Sequence, residues 1–267
     1  MPFCKYEKLN LYYLCAISNQ SVIKFMDKIP VVTKNLVAIN ILMFLATLAA
    51  GRFGIDLKDY LGLHFFMSDA FMPHQFVTYA FMHGGLSHIF FNMYALFMFG
   101  RTLEYVWGAK RFLFYYLLAG VGAALVQEAV GAVRFFSMVP ALTPADVAAV
   151  IDEGHAALQQ GMNFVNPSLA ELNVVLNSTT VGASGAVYAI LLGFGMLFPN
   201  DRLFIFPLPV PIKAKYFVIG YALIELYMGT AGSPDGVAHF AHLGGMLFGF
   251  ILIIFWRKKK KIGGPYV

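Results

Sequence analysis

The sequence predicts an all-α integral membrane protein, a bundle of six transmembrane helices with both termini in the cytoplasm. Three observations predict it. Hydrophobic residues make up 59% of the chain and charged residues only 12%, more apolar surface than a water-soluble core can hide. The apolar residues gather into six runs, at 35–51, 86–106, 112–130, 181–198, 216–228 and 237–256, against the roughly 20 residues a helix needs to cross the hydrocarbon layer. The basic residues alternate in side: of the 19 lysines and arginines, all but Arg52, Lys58 and Arg134 fall before the first run, in the second and fourth connections, or after the last. Cytoplasmic loops carry the positive excess, so both ends face the cytoplasm.

The elements follow in order. Residues 1–34 form a cytoplasmic segment with scattered lysines and no cleavable signal pattern. Its Cys4 and Cys15 lie too close together for a disulfide framework or a metal site. Residues 35–256 hold the six spans, and 257–267 form a basic cytoplasmic tail. The net charge of +5 arises from short clusters beside the spans, the pattern of membrane orientation and not of nucleic-acid binding. The fifth run is short, and its flanks are expected to complete it. Connection 51–85 is rich in aromatics and methionine (Phe65, Phe66, Met67, Phe71) and is expected to lie partly in the outer interface. Connection 131–180 is an outer insertion. Within it Thr143-Pro144-Ala145-Asp146 reads as a helix start, with a capping residue, a first-turn proline and an acid at the third position. Val147, Val150, Ile151 and Leu158 continue at helical spacing, which predicts one short amphipathic helix.

Polar residues inside spans are costly and are functional candidates for that reason. Spans two, four and six run in one direction, so their first turns share a depth. They carry His83, Ser87, His88 and Asn92 on the second, Ser184 on the fourth, and His239 and His242 on the sixth. Ser184 alone suits close helix packing as well as chemistry: Gly182 with Ala186, and Gly185 with Ala189 and Gly193, are small residues at four-residue spacing. Gly245 and Gly249 share a helical face with His242 and would let span six approach span four closely enough for a Ser–His hydrogen bond. Tyr188, one turn from Ser184, could pack on the imidazole. Taken together the layer favours catalysis. No aspartate is placed to orient His242, since Asp235 lies seven residues away in a loop, so a dyad is expected and not a triad.

These residues resemble the rhomboid family of intramembrane serine proteases. The resemblance rests on His83-Gly-Gly-Leu-Ser-His88-Ile-Phe-Phe-Asn92, on Gly182-Ala-Ser184-Gly185 and on Ala241-His242-Leu-Gly-Gly245 with Gly249, in the family's order and with Glu104 at the end of span two. It implies Ser184 as nucleophile and His242 as general base. It implies an oxyanion hole from Asn92, His88 and the Ser184 N–H, with His83 bracing the outer loop. Tyr188 would stack on His242, and Gly245 and Gly249 would permit the close helix contact. The chain departs from the family pattern in two places. Loop 51–81 lacks a tryptophan–arginine pair, and insertion 131–180 is long for a compact member.

The expected activity is serine-type endopeptidase cleavage of transmembrane protein substrates near the outer face of a cell (inner) membrane. No nucleic acid, cofactor or metal is expected, the last because the histidines lack a carboxylate or thiolate set around them. The rivals are an inactive family member that binds transmembrane helices and a small transporter. Glu225, in the fifth span, is the acid that would favour a transporter.

Overall fold

A computed structural model of the chain describes residues 29–204, 210–231 and 237–259. Cys4, Cys15, Asp235, most of the N-terminal segment and the end of the tail lie outside them. Among the described residues, three helices are long and apolar enough to cross a membrane: α1 (Val31–Gly51), α6 (Ala109–Met138, extended by a 3-10 turn to Ala141) and α11 (His239–Lys258). Three further helices pack with them. One is continuous from α4 (Leu86–Ala95) through a π turn at Leu96–Gly100 into α5 (Arg101–Trp107). The others are α9 (Ser184–Leu197) and α10 (Ala214–Ala231). They fall where the six apolar runs predict helices. Most run a few residues further than the hydropathy does, because α1 starts before its first apolar stretch and α10 takes in Lys215.

α9 departs the other way. It begins three residues after the apolar run does and has only 14 residues. It is the centre of the bundle: Gly185, Ala186, Val187, Ala189, Ile190, Leu191, Gly193, Gly195 and Leu197 are all buried. A helix that is apolar all round and short of side-chain bulk is one that neighbours surround closely. α6 and α11 pack on it and on each other. Lipid-facing surface is correspondingly apolar elsewhere, as at Leu42, Leu45, Phe90, Phe91 and Ile251.

α1 presents Thr33, Leu36 and Asn40 as one buried stripe. Pro30 precedes it and offers no side-chain cap. Glu104 of α5 takes that place, accepting from Val32 N at 2.9 Å, Thr33 N at 2.7 Å and Thr33 Oγ1 at 2.8 Å. Helix N-termini leave N–H groups orphaned and favour a negative charge, so a carboxylate from another helix both caps α1 and fixes its place. Glu104→Ala should lower stability by about 2 kcal/mol through those abandoned donors. The expected readout is a lower thermal midpoint of the purified protein, with Glu104→Gln milder than Glu104→Ala.

The insertion is a helical hairpin. α6 continues past 130 to Met138, and two helices follow, α7 (Pro144–Gln159) and α8 (Pro167–Asn177). α7 carries the expected capping box, with Thr143 Oγ1 accepting from Asp146 N at 3.2 Å and the Thr143 N–H donating to Asp146 Oδ2 at 3.2 Å. The reading of a single helix missed α8, although Asn166-Pro167 is also a helix start; Asn166 Oδ1 accepts from Ser168 N at 2.9 Å. The two helices are clasped by amides: Asn173 Nδ2 donates to Gly154 O at 3.2 Å and Asn177 Nδ2 to Val150 O at 3.0 Å. Gly154 is required there, since a Cβ would strike the Asn173 amide. Phe65 and Phe135 pack beneath the hairpin with Val150, Leu169, Leu172 and Leu176. The connection 51–85 holds two short helices, α2 (Leu57–Leu61) and α3 (Gln75–Thr78), and buries Leu63, Phe65 and Tyr79 while Phe66 and Met67 stay exposed.

Candidate active site

Ser184 is positioned by the chain that leads to it. Thr180 pairs with Leu63, N–H to carbonyl in both directions at 2.8 and 2.9 Å, and Gly182 N donates to Tyr79 O at 2.9 Å. The segment 180–183 is therefore fixed against the first outer connection, and α9 starts immediately after it. As the first helical residue, Ser184 has a backbone N–H without an intrahelical acceptor.

His242 lies in the first turn of α11, with Nε2 2.8 Å from Ser184 Oγ. Glycines allow that approach. A Cβ at Gly245 would overlap the Gly185 carbonyl, so α9 and α11 meet backbone to backbone one turn from the histidine. A Cβ at Gly249 would lie 3.0 Å from Ala189 Cβ, and Gly185 faces Ala123 of α6 in the same way, at 2.5 Å. Tyr188 stacks on His242 with ring centroids 4.2 Å apart and planes 6° from parallel. The imidazole is thus held on its face, on its Nε2 side and by the helix that carries it.

The other side of His242 holds a residue that the sequence reading did not place. Glu225 of α10 is buried, with its Oε2 2.9 Å from His242 Nδ1 and 2.6 Å from His239 Nδ1. The shorter contact is the better aligned hydrogen bond; the carboxylate oxygen lies off the Nδ1–H axis of His242. Tyr188 donates its hydroxyl to Glu225 Oε1. This corrects two expectations: a carboxylate is present in the polar layer, and His242 has an acidic neighbour. The signal was an acid inside an apolar run. Its partners lie 14 and 17 residues on, in another helix, and no spacing rule reaches them.

Gly182 also differs from its reading. It is not on a helix face with Ala186 but in the extended lead-in, at φ 132°, a region that favours glycine. A Cβ there would stand 2.8 Å from His88 Nε2 and 3.4 Å from Ser184 Oγ. The missing side chain leaves a gap between the serine hydroxyl and the His88 ring. His83 is buried beside His88, edge to face at 5.1 Å. Asn92 is buried one turn along α4, and its amide donates to His88 O at 3.0 Å. An amide carries two N–H groups, so that bond occupies one of them.

Fold and site together define a helical membrane protein with a serine–histidine pair in a buried polar layer. Comparison with known proteins gives the family. The chain matches the model described as Rhomboid domain over residues 70–145 and 147–259, and it belongs to the rhomboid family. It is similar to "Rhomboid protein 1, mitochondrial" of Saccharomyces cerevisiae, 27% identical over 179 residues, which cover 64% of this chain and 38% of that protein. It is also similar to "RHOMBOID-like protein 12, mitochondrial" of Arabidopsis thaliana, 29% identical over 190 residues, 70% of this chain and 47% of that one. The chain thus spans less than half the length of either relative.

Proposed function

We propose that this protein is an intramembrane serine endopeptidase that cuts transmembrane segments of other membrane proteins. The observation that carries the reading is the 2.8 Å contact between Ser184 Oγ and His242 Nε2, beside the gap at Gly182. Ser184 Oγ attacks a peptide carbonyl as His242 Nε2 takes its proton. The C–N bond then breaks, and His242 returns the proton to the leaving amine. Water attacks the acyl-enzyme by the same route in reverse and restores the serine. The oxyanion forms in the gap, facing the Ser184 N–H, Asn92 and His88, and such donors are worth about 2.7–4 kcal/mol each. Glu225 is a positioning residue: its carboxylate lies 2.9 Å from His242 Nδ1, and negative charge on that side favours the ring proton on Nδ1, so that Nε2 is the basic nitrogen.

In this reading the chain crosses the bilayer six times with both termini on the cytoplasmic side, which its basic residues favour, and the layer faces the outer side. Because a helix hides its peptide bonds, substrates that unwind easily near the cut should be favoured. Fluorophosphonate labelling of the purified protein tests the reading against an inactive helix-binding member and a transporter. Covalent adduct at Ser184, absent from His242→Ala, is the expected result; no adduct under conditions that label a soluble serine protease overturns it.

Asn92→Ala should slow cleavage of a transmembrane reporter by about 10²–10³-fold in kcat. A rise in KM alone would mean that Asn92 contacts substrate and not the oxyanion. Glu225→Gln keeps a partner for Tyr188 but removes the negative charge beside His242. It should lower kcat with KM little changed and move the acidic limb of the pH profile, a change that loss of packing alone would not produce.

A further inference from the structure

Positioning His242 requires one carboxylate. The structure supplies more: a second imidazole, His239, whose Nδ1 faces the same oxygen of Glu225 at 2.6 Å. The two rings stand at 89° with centroids 6.4 Å apart. Glu225 Oε2 is in contact with Nδ1 of both histidines, one ligand atom from each of the three residues lies within 4.8 Å of the others, and all three residues are buried. The expectation of no metal rested on histidines without a carboxylate, and Glu225 removes that ground.

We propose that Glu225, His239 and His242 form an inhibitory site for a divalent cation of the zinc class. Two imidazoles and one carboxylate, with a fourth position left for water, is a ligand set that zinc takes. Tetrahedral bonds of about 2.0–2.1 Å need the three atoms somewhat further apart than their hydrogen bonds hold them, a movement within rotamer reach. The surrounding groups suit such a site. Tyr188 holds the other oxygen of Glu225, leaving Oε2 for the ion, and Ser184 Oγ lies at the far nitrogen of His242. Metal sites commonly orient their ligands through outer partners of this kind. Access is from the start of α11, where His239 borders a cavity of about 120 Å³ lined also by Gln127, Glu128 and Ser178. Arg134 borders it too, with its guanidinium bonded to Gly229 O at 3.1 Å.

The consequence follows from tautomer chemistry. An imidazole bound to a metal through Nδ1 carries its remaining proton on Nε2. His242 would then donate to Ser184 Oγ and have no lone pair with which to take the serine proton. The cation would thus switch off the base while leaving the nucleophile in place. This inhibition rests on the protease reading; the binding site does not.

The test uses the full-length protein in detergent micelles, with CoCl2 as spectroscopic probe and ZnCl2 as inhibitor. Expected is one Co²⁺ per chain, with the visible absorption of a four-coordinate ion displaced by Zn²⁺, also in Ser184→Ala. His239→Gln and Glu225→Gln should each weaken Co²⁺ binding by more than about 100-fold, beyond what loss of an outer partner costs. Zn²⁺ should inhibit reporter cleavage by the wild type, reversibly with EDTA, and His239→Gln should lose that sensitivity relative to its own metal-free rate. A cobalt signal or a zinc inhibition that survives His239→Gln belongs to other donors and overturns the site. Binding without any cleavage in the metal-free wild type would instead remove the protease reading and keep the site.

Discussion

Ser184→Ala will reduce cleavage of a transmembrane reporter to background while leaving the protein folded. In the proposed reaction the hydroxyl is the attacking group, and alanine fits the same small-residue contact at the start of α9, where Ala183, Gly185 and Ala186 are already buried. The thermal midpoint should therefore be close to that of the wild type. His242→Ala should be as inactive, and the double variant no worse than either single one. Residues that act as a unit lose their effect together: in a soluble serine protease each single loss is on the order of 10⁶-fold, about that of the combined loss. Strictly additive losses would separate Ser184 from His242 in function, whatever the 2.8 Å between them. Wild-type turnover by Ser184→Ala would end the proposal.

Gly245→Val will cost both activity and stability, although Gly245 carries no group that reacts. Its Cα faces the Gly185 carbonyl so closely that a Cβ would overlap the backbone oxygen. A carbonyl of the helix backbone cannot rotate away as a side-chain tip can, so α9 and α11 must part. Misplacement of about 1 Å between reacting groups can cost on the order of 10²-fold in rate; Ser184 adjoins the contact at Gly185 and His242 sits one turn from it at Gly245. The lost packing should also lower the thermal midpoint, because close small-residue contacts hold membrane helices together. Gly220→Val is the control: nothing lies within 4 Å of a Cβ there, and it should be nearly silent. Full activity and stability in Gly245→Val would mean that the two helices do not meet through this carbonyl.

Much of this arrangement was legible in the amino-acid sequence, for a physical reason. In lipid the backbone must satisfy itself, so apolar runs become helices almost without exception. Glycines at three- and four-residue spacing mark the faces that touch, as Gly245 and Gly249 do. What was not legible depends on tertiary position. Glu225 becomes informative only when α10 brings it against α11. Gly182 reads as one more small residue in an apolar run until the chain is seen to enter α9 extended, at φ 132°. The clasp of the hairpin by Asn173 and Asn177 likewise needs α7 and α8 side by side. Hydropathy marks where a helix lies and says little of where it starts, and the start of α9 is the site.

On the proposed function, that start sets how far the chemistry would lie from water. The guanidinium of Arg257, near the end of α11, donates to Met196 O at 2.9 Å, near the end of α9, so the two helices finish near one another. From that common base Ser184 is 12 residues up and His242 is 15, about 18 and 22 Å at 1.5 Å per residue. A hydrocarbon layer is about 30 Å thick. The brevity of α9 acts as a depth gauge: with its base at one surface, it stops the nucleophile roughly a third of the way down from the other. One residue added within α9 would raise Ser184 by about 1.5 Å and turn it by about 100°, away from His242. On the proposed function, the length of this helix, as much as the identity of any residue on it, sets the plane at which a peptide bond would be met.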